Sequence, residues 1–227
     1  MKLPRAMTDF ALARANMVDS QIRPNGITDS RIIAAMAEVP REAFVPPHSA
    51  PFAYMDEDVA LETGSQPRWL MEPMAFARLL QLAQVEAGDS VLDVGCATGY
   101  STVILARLGA KVTGLESHAG LADQARQNIA RFHAAQAAIL TGPMAQGPAG
   151  GDTFDVIFIN GRVPEVPAAL TARLRDGGRL VAVEGLAPMG RACLTSLAHG
   201  ALSRRAAFDA SVPLLPGFLA ETSVFLF

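Results

Sequence analysis

The chain has 227 residues, 50% of them hydrophobic and 18% charged, with a net charge of -3. That is apolar material for a sizeable core, which excludes wholesale disorder, and the charge balance gives no strong attraction to nucleic acid or an anionic membrane. Cys96 and Cys193 are the two cysteines, so a disulfide scaffold is not indicated and a reducing cytoplasm is expected; the start Met1-Lys2-Leu3-Pro4-Arg5 lacks an apolar signal core, and no stretch is apolar enough to span a bilayer.

Residues 9–21 read as a helix with Phe10, Ala13, Met17 and Val18 on one side, broken by Pro24-Asn25-Gly26. Thr28 or Asp29 caps a second helix carrying Ile32, Ile33, Met36 and Val39, which stops at Pro40. Residues 41–58 lack clear periodicity, and residues 64–71 read as a loop. Glu72-Pro73 then opens a helix with Phe76, Leu79, Leu80 and Ala83 as its core stripe.

Val91, Leu92 and Val94 form a short apolar run typical of a buried parallel strand, followed by Gly95-Cys96-Ala97-Thr98-Gly99-Tyr100 and a helical pattern with Val103, Ala106 and Arg107. A second buried strand, residues 111–116, ends in Glu116. Strand, glycine turn, helix, strand and acid make half of a mononucleotide-binding unit. Glycines let the backbone approach a ligand, the helix start offers free N–H groups, and a carboxylate at the second strand's end can accept both hydroxyls of a ribose.

Beyond Glu116, Leu121, Ala125, Ile129 and Phe132 mark an amphipathic helix, and residues 137–141 a short strand followed by Gly142-Pro143. A buried strand over residues 154–160 ends in Asn160, a helix runs from Pro164 through Leu174, residues 176–179 turn, and residues 180–183 form a fifth strand. Cys193 falls in a helical stretch, and residues 201–208 and 222–227 read as two closing strands joined by residues 213–218. The fold class is therefore α/β: a Rossmann-like, doubly wound, mostly parallel seven-stranded sheet with an antiparallel C-terminal edge hairpin. Residues 1–72 are expected to form a helical, irregular cap over the site, and residues 73–227 the main domain.

The spacing Asp93-x-Gly95-x-x-x-Gly99, with Glu116 on the next strand, resembles the first motif of class I S-adenosylmethionine-dependent methyltransferases and its acidic partner. The flanks narrow the resemblance: Val39-Pro40-Arg41-Glu42-Ala43-Phe44-Val45-Pro46, Ala53-Tyr54, Pro164-Glu165-Val166-Pro167 and residues 174–180 are similar to the protein-L-isoaspartate O-methyltransferase family over roughly residues 15–185. That resemblance implies S-adenosyl-L-methionine as cofactor. It implies that Asp93, Gly95, Cys96, Ala97, Thr98, Gly99 and Tyr100 surround the methionine end, and that Glu116 and Ser117 hold the ribose. It places Gly142 and Pro143 near the adenine and Asn160 beside the site. The acceptor it implies is an isoaspartyl-containing protein or peptide; a small carboxylate substrate is the other acceptor considered.

Two departures bear on activity. The family carries a Thr-Ile-Ser-Gln-Pro loop whose serine lies at the active site; counted back from the first strand, its proline falls on Pro73, its glutamine on Glu72 and its serine on Met71. Gly142-Pro143 replaces the usual Gly-Asp, which removes a backbone donor and a carboxylate acceptor. No catalytic residue is therefore assigned, and Glu72 and Asn160 remain candidates for substrate contact. A carboxylate acceptor is already ionised at neutral pH and needs alignment more than a base. His48, His118, His133 and His199 are scattered, and no spacing suits a metal. Two other readings stay open: methyl transfer to a different small-molecule or RNA acceptor, and a catalytically silent S-adenosylmethionine-binding protein. The oligomeric state is not readable from sequence.

Overall fold

The computed structural model describes residues 9–62, 64 and 66–219. Its front part comprises α1 (Phe10–Met17), α2 (Ser30–Glu38) and a small antiparallel pair, β1 (Val59–Glu62) with β2 (Arg68–Leu70), ahead of α3 (Pro73–Ala83). Asp9 caps α1 by accepting from the Leu12 N–H, and Asp29 caps α2 by accepting from Arg31. Thr28 is not the cap; its N–H donates to Gln81 Oε1 on α3 at 2.7 Å, which ties the front of the chain to the main sheet's cover. α3 buries Phe76, Leu79, Leu80 and Ala83, the stripe its spacing predicts.

The sheet proper comprises β3 (Ser90–Val94), β4 (Lys111–Glu116), β5 (Ala137–Thr141), β6 (Phe154–Val163), β7 (Leu174–Glu184), β8 (Gly190–Ala198) and β9 (Ala201–Ala210). Helices α4 (Tyr100–Arg107), α5 (Ala119–Arg131) and α6 (Ala168–Thr171) make crossovers. The spatial order is β5-β4-β3-β6-β7-β8-β9. The first five of these strands pair in parallel and the last two antiparallel. Val91, Leu92 and Val94 are fully buried, as a central strand covered on both faces requires. The chain winds outward from β3 to β5, then returns to the other side of β3 as β6. The switch point therefore lies between β3 and β6, where a crevice forms outside the strand ends.

The front segment and the sheet share one apolar cluster, running from Met17, Ile22, Met36 and Phe44 to Tyr100, Val103 and Phe158. Phe44 packs on both Tyr100, at 5.3 Å between ring centroids, and Phe132, at 5.0 Å. Buried Arg41 ties this layer to the loop before α3: Nε donates to the Ala53 carbonyl at 2.6 Å and Nη2 to the Met71 carbonyl.

Several expectations are corrected. Residues 68–70, read within a loop, form β2, a strand too short to show a period. The helix expected through Leu174 stops at Thr171; Leu174 opens β7, and residues 176–179 lie inside that strand, where the ladder with β6 shifts register. Cys193 lies on β8, not on a helix. The antiparallel edge hairpin is β8 with β9, not residues 201–208 with residues 222–227, which fall outside the described residues.

Candidate functional site at the switch point

The site is built where β3 and β4 end. Asp93 is buried, and its Oδ2 accepts from Ser101 Oγ at 2.7 Å and Thr102 Oγ1 at 2.6 Å, both on the first turn of α4. Asn160, on β6, donates through Nδ2 to the same Ser101 oxygen at 2.9 Å. A polar chain thus links the ends of β3 and β6 across the switch point. Asp93 Oδ1 has no hydrogen-bond partner among the described residues. Burial, the dominant influence, pushes the Asp93 carboxyl up to about 6 against the opposing effect of the two hydroxyls.

The turn after β3 takes positive φ at Gly95 (79°), Ala97 (50°) and Gly99 (89°), and Gly99 is the residue from which α4 starts. A side chain at Gly99 would meet the Ala125 backbone at 3.2 Å, so the loop lies tight against α5. Thr98 is buried and anchors the loop to the front segment, its hydroxyl donating to the Phe44 carbonyl at 2.7 Å, while its own carbonyl accepts from Asn128 on α5. Cys96 is buried under the turn, with Sγ lying towards Gly114, and burial pushes its thiol well above the usual value. Tyr100 faces the core, with the Arg41 guanidinium 5.2 Å from its ring.

Glu116 closes the other side. Its Oε2 accepts from the Ala97 N–H at 2.9 Å, and its Oε1 from the Ser117 N–H at 2.9 Å and the His118 N–H at 3.0 Å. It also holds a cation that the sequence reasoning missed. Arg68, on β2, reaches Glu116 Oε2 through Nη2 at 2.7 Å and Oε1 through Nε at 3.3 Å; the two side chains are 3% and 0% exposed. The same Nη2 donates to the Gly95 carbonyl at 2.9 Å. Gly142 and Pro143 follow Thr141, the register partner of Glu116, and so lie on the rim beside it.

The remaining candidates divide. Asn160 belongs to the site. Met71 is buried in the front core, with its carbonyl on Arg41, and its side chain also borders the crevice. Glu72 precedes α3 without capping it; Asp58 Oδ1 accepts from the Glu72 N–H and Asp56 Oδ1 from the Met74 N–H, so the helix start is already served by two acids. Arg162, near the end of β6, is buried. Among the described residues its side chain donates to carbonyls, those of Val212, Gly185 and Leu186. It fastens the residues after β9 to β6, where the Leu215 N–H also donates to the Arg162 carbonyl at 2.8 Å. A groove of about 340 Å³ elsewhere, lined by Arg78, Gln81, Arg205 and Phe208 among others, shares no residue with this site. Among the described residues no group of three or more His, Cys, Asp or Glu could hold a metal ion.

Asp93 with an unpartnered oxygen, a glycine turn and an acid ending the neighbouring strand suit an adenosyl amino acid: ammonium to one carboxylate, sugar hydroxyls to the other. The framework fits; the space inside it is taken. Arg68 and Leu215 fill it, and the void they share with Trp69, Met71, Asn160 and Gly161 measures only about 10 Å³. Neither residue carried a local signal. An acid at a strand end whose partner lies 48 residues away in sequence is found only by folding.

The sheet order and strand-end site define a class, the Rossmann-like S-adenosylmethionine-dependent methyltransferases. The fold superposes on a Plasmodium falciparum structure described as a putative protein-L-isoaspartate O-methyltransferase in complex with S-adenosyl-L-homocysteine, with a TM-score of 0.77 at 21% identity over 90% of this chain and 98% of that one. A family model described as Protein-L-isoaspartate(D-aspartate) O-methyltransferase matches residues 13–192, and the chain belongs to that family. A Koribacter versatilis (strain Ellin345) protein named protein-L-isoaspartate O-methyltransferase is 40% identical over 175 residues, 77% of this chain and 78% of that protein. A Methylorubrum extorquens (strain PA1) protein of the same name is 34% identical over 213 residues, 92% of this chain and 91% of that protein.

Proposed function

We propose that this methyltransferase transfers its methyl group to a carboxylate by direct displacement, with an isoaspartyl-containing protein or peptide as acceptor. The observation that carries this reading is the meeting of Asp93, the glycine turn and Glu116 at the switch point, inside the segment the family model matches. S-adenosyl-L-methionine supplies an activated methyl on a sulfonium that leaves as a neutral thioether. The chain's residues have the tasks of holding and aligning. Asp93 takes the amino-acid end, Glu116 the ribose, and Gly142-Pro143 the rim beside the base. Ser101, itself held by Asn160, and Thr102 fix the Asp93 carboxylate. Met71 and Trp69 line the same crevice and help to keep water from it. A carboxylate acceptor is its own nucleophile, so alignment and water exclusion suffice without a base.

One observation favours a second reading, a different acceptor. Glu72, at the family's glutamine position, stands near Asp56 and Asp58, and burial first and these acids second push it up to about 7. Above that pH three acids surround the place where an anionic acceptor would enter, which disfavours it. Methyl transfer to an isoaspartyl peptide decides between the two. Turnover comparable with a standard repair enzyme supports the first reading, and donor binding without that turnover supports the second. On the donor side, Asp93→Ala and Gly95→Val should each abolish calorimetric binding of S-adenosylhomocysteine in a folded chain; unchanged binding in both would place the donor elsewhere.

A further inference from the structure

Arg68 reaches across from the small β1–β2 pair into the strand-end site and makes there the contacts a donor's sugar would make. Its guanidinium spans both oxygens of Glu116 and the Gly95 carbonyl. With the three backbone N–H groups already on Glu116, no lone pair of that carboxylate is left for two ribose hydroxyls. Leu215 fills the other half. A Cβ built on Gly95 would lie 3.0 Å from a Leu215 methyl and 3.3 Å from Arg68 Nη2, and one built on Gly161 would lie 2.6 Å from Leu215 Cγ. The glycine cradle is thus already packed with the chain's own side chains. Leu215 is held in place from both sides of its peptide: the Arg162 N–H donates to the Pro213 carbonyl at 2.8 Å, and the Leu215 N–H returns to the Arg162 carbonyl at 2.8 Å. Arg162 Nε holds the Val212 carbonyl as well.

These are strong local contacts. Arg68 and Glu116 are both out of water, and a buried ion pair is costly to break by removing one partner. A cofactor-sized ligand needs on the order of 300 Å³ or more, against the void of about 10 Å³ present.

We propose that Arg68 and Leu215 form an internal plug of the donor site, so that Arg68 sets the chain's affinity for S-adenosylmethionine by competing with the ribose for Glu116. The proposal rests on the donor-site reading above. The donor binds only the fraction of molecules in which Arg68 has left Glu116 and Leu215 has turned out of the crevice, and apparent affinity falls by that fraction. Arg68 is in this sense an affinity-determining residue that touches the cofactor's place rather than the reacting atoms.

Calorimetric titration with S-adenosylhomocysteine tests it on the full chain, using wild type, Arg68→Gln, Arg68→Lys and Leu215→Ala. Arg68→Gln removes the positive charge and keeps a single amide donor near Glu116, so it should bind about tenfold or more tightly than wild type. Arg68→Lys restores a cation and should return binding towards the wild-type value, a reversal that a merely structural role for Arg68 would not give. Leu215→Ala leaves the Arg68–Glu116 pair intact, covers the case in which Arg68→Gln fails to fold, and should tighten binding about threefold or more. A crystal structure of the wild-type complex should show the guanidinium withdrawn from Glu116. Folded Arg68→Gln and Leu215→Ala variants that bind no better than wild type, or a complex with the Arg68–Glu116 pair intact, would overturn the plug while leaving the donor site in place. Binding by none of the chains would remove the donor-site reading and the plug with it.

Discussion

Met71 and Glu72 occupy adjacent positions, yet they are constrained by different physics. Met71 is 3% exposed and packed into the core that joins the front segment to α3, so its side chain is held by volume. Glu72 is half-buried, and among the described residues only its backbone is held: its N–H donates to Asp58 and its carbonyl accepts from the Phe76 N–H, while its carboxyl makes no hydrogen bond or ion pair. Replacing Met71 by serine removes buried apolar volume and adds a hydroxyl, and should cost about 2–4 kcal/mol in urea denaturation. Glu72→Gln removes a charge that lacks a partner and should cost little. Together they restore the family's residues at both positions. The double variant should methylate an isoaspartyl peptide faster than wild type when compared at a temperature where both are folded. An unchanged or lower rate would show that these two positions do not control the acceptor.

At the scale of elements, the antiparallel edge turns on two residues. β8 and β9 are joined by His199-Gly200, with φ of 52° and 76°, the positive pair that a tight two-residue hairpin with the sheet's own twist requires. Gly200→Val should therefore cost about 1–2 kcal/mol in thermal unfolding, through backbone strain alone, because a side chain there would meet nothing within 4 Å. It should also speed amide exchange along β9 before the rest of the sheet. The same hairpin shows where legibility ended. β3, β4 and the first part of β6 are readable from the chain because burial writes itself into nearly consecutive apolar residues, but β6 does not end at Asn160 as expected: it continues past Gly161 to Val163, beyond an irregularity in its ladder with β7. β8 contains Ala192, Cys193, Leu194, Leu197 and Ala198, residues that fit a helix as well; only its place between β7 and β9 makes it a strand. The acid and glycine positions of the site were readable because their chemistry is local to one turn. Arg68 and Leu215 were not, since each acts on that turn from a segment distant in sequence, and Pro213 to Phe218 carries only the signature of a connector.

For the whole molecule, the balance of buried carboxyls determines how stability varies with pH. Burial is the main influence on Asp58 and Asp93, both pushed up to about 6, and on Glu72, pushed up to about 7. Below pH 3.8 these groups are protonated in the folded and the unfolded chain alike. Between that point and their raised values, the unfolded chain has released protons that the folded chain still holds, so each step up in pH favours unfolding. Asp29, lowered chiefly by Arg31, and Asp155, where the Ser90 N–H and Arg175 outweigh burial, act in the opposite direction, but only below 3.8. They leave the higher range untouched. Stability in urea should therefore fall between about pH 4 and pH 7 by a few kcal/mol, on the order of one per raised carboxyl once the water reaching Asp58 and Glu72 is allowed for. Asp58→Asn keeps an acceptor for the Glu72 N–H while removing the charge. It should flatten the decline between about pH 4 and pH 6 and, by relieving Glu72 of a neighbouring charge, shift the remaining fall to lower pH. A wild-type profile that rises between pH 4 and pH 7, or an Asp58→Asn profile that follows it unchanged, would mean that these carboxyls are solvated in solution and that the acidic rim beside α3 is open to water.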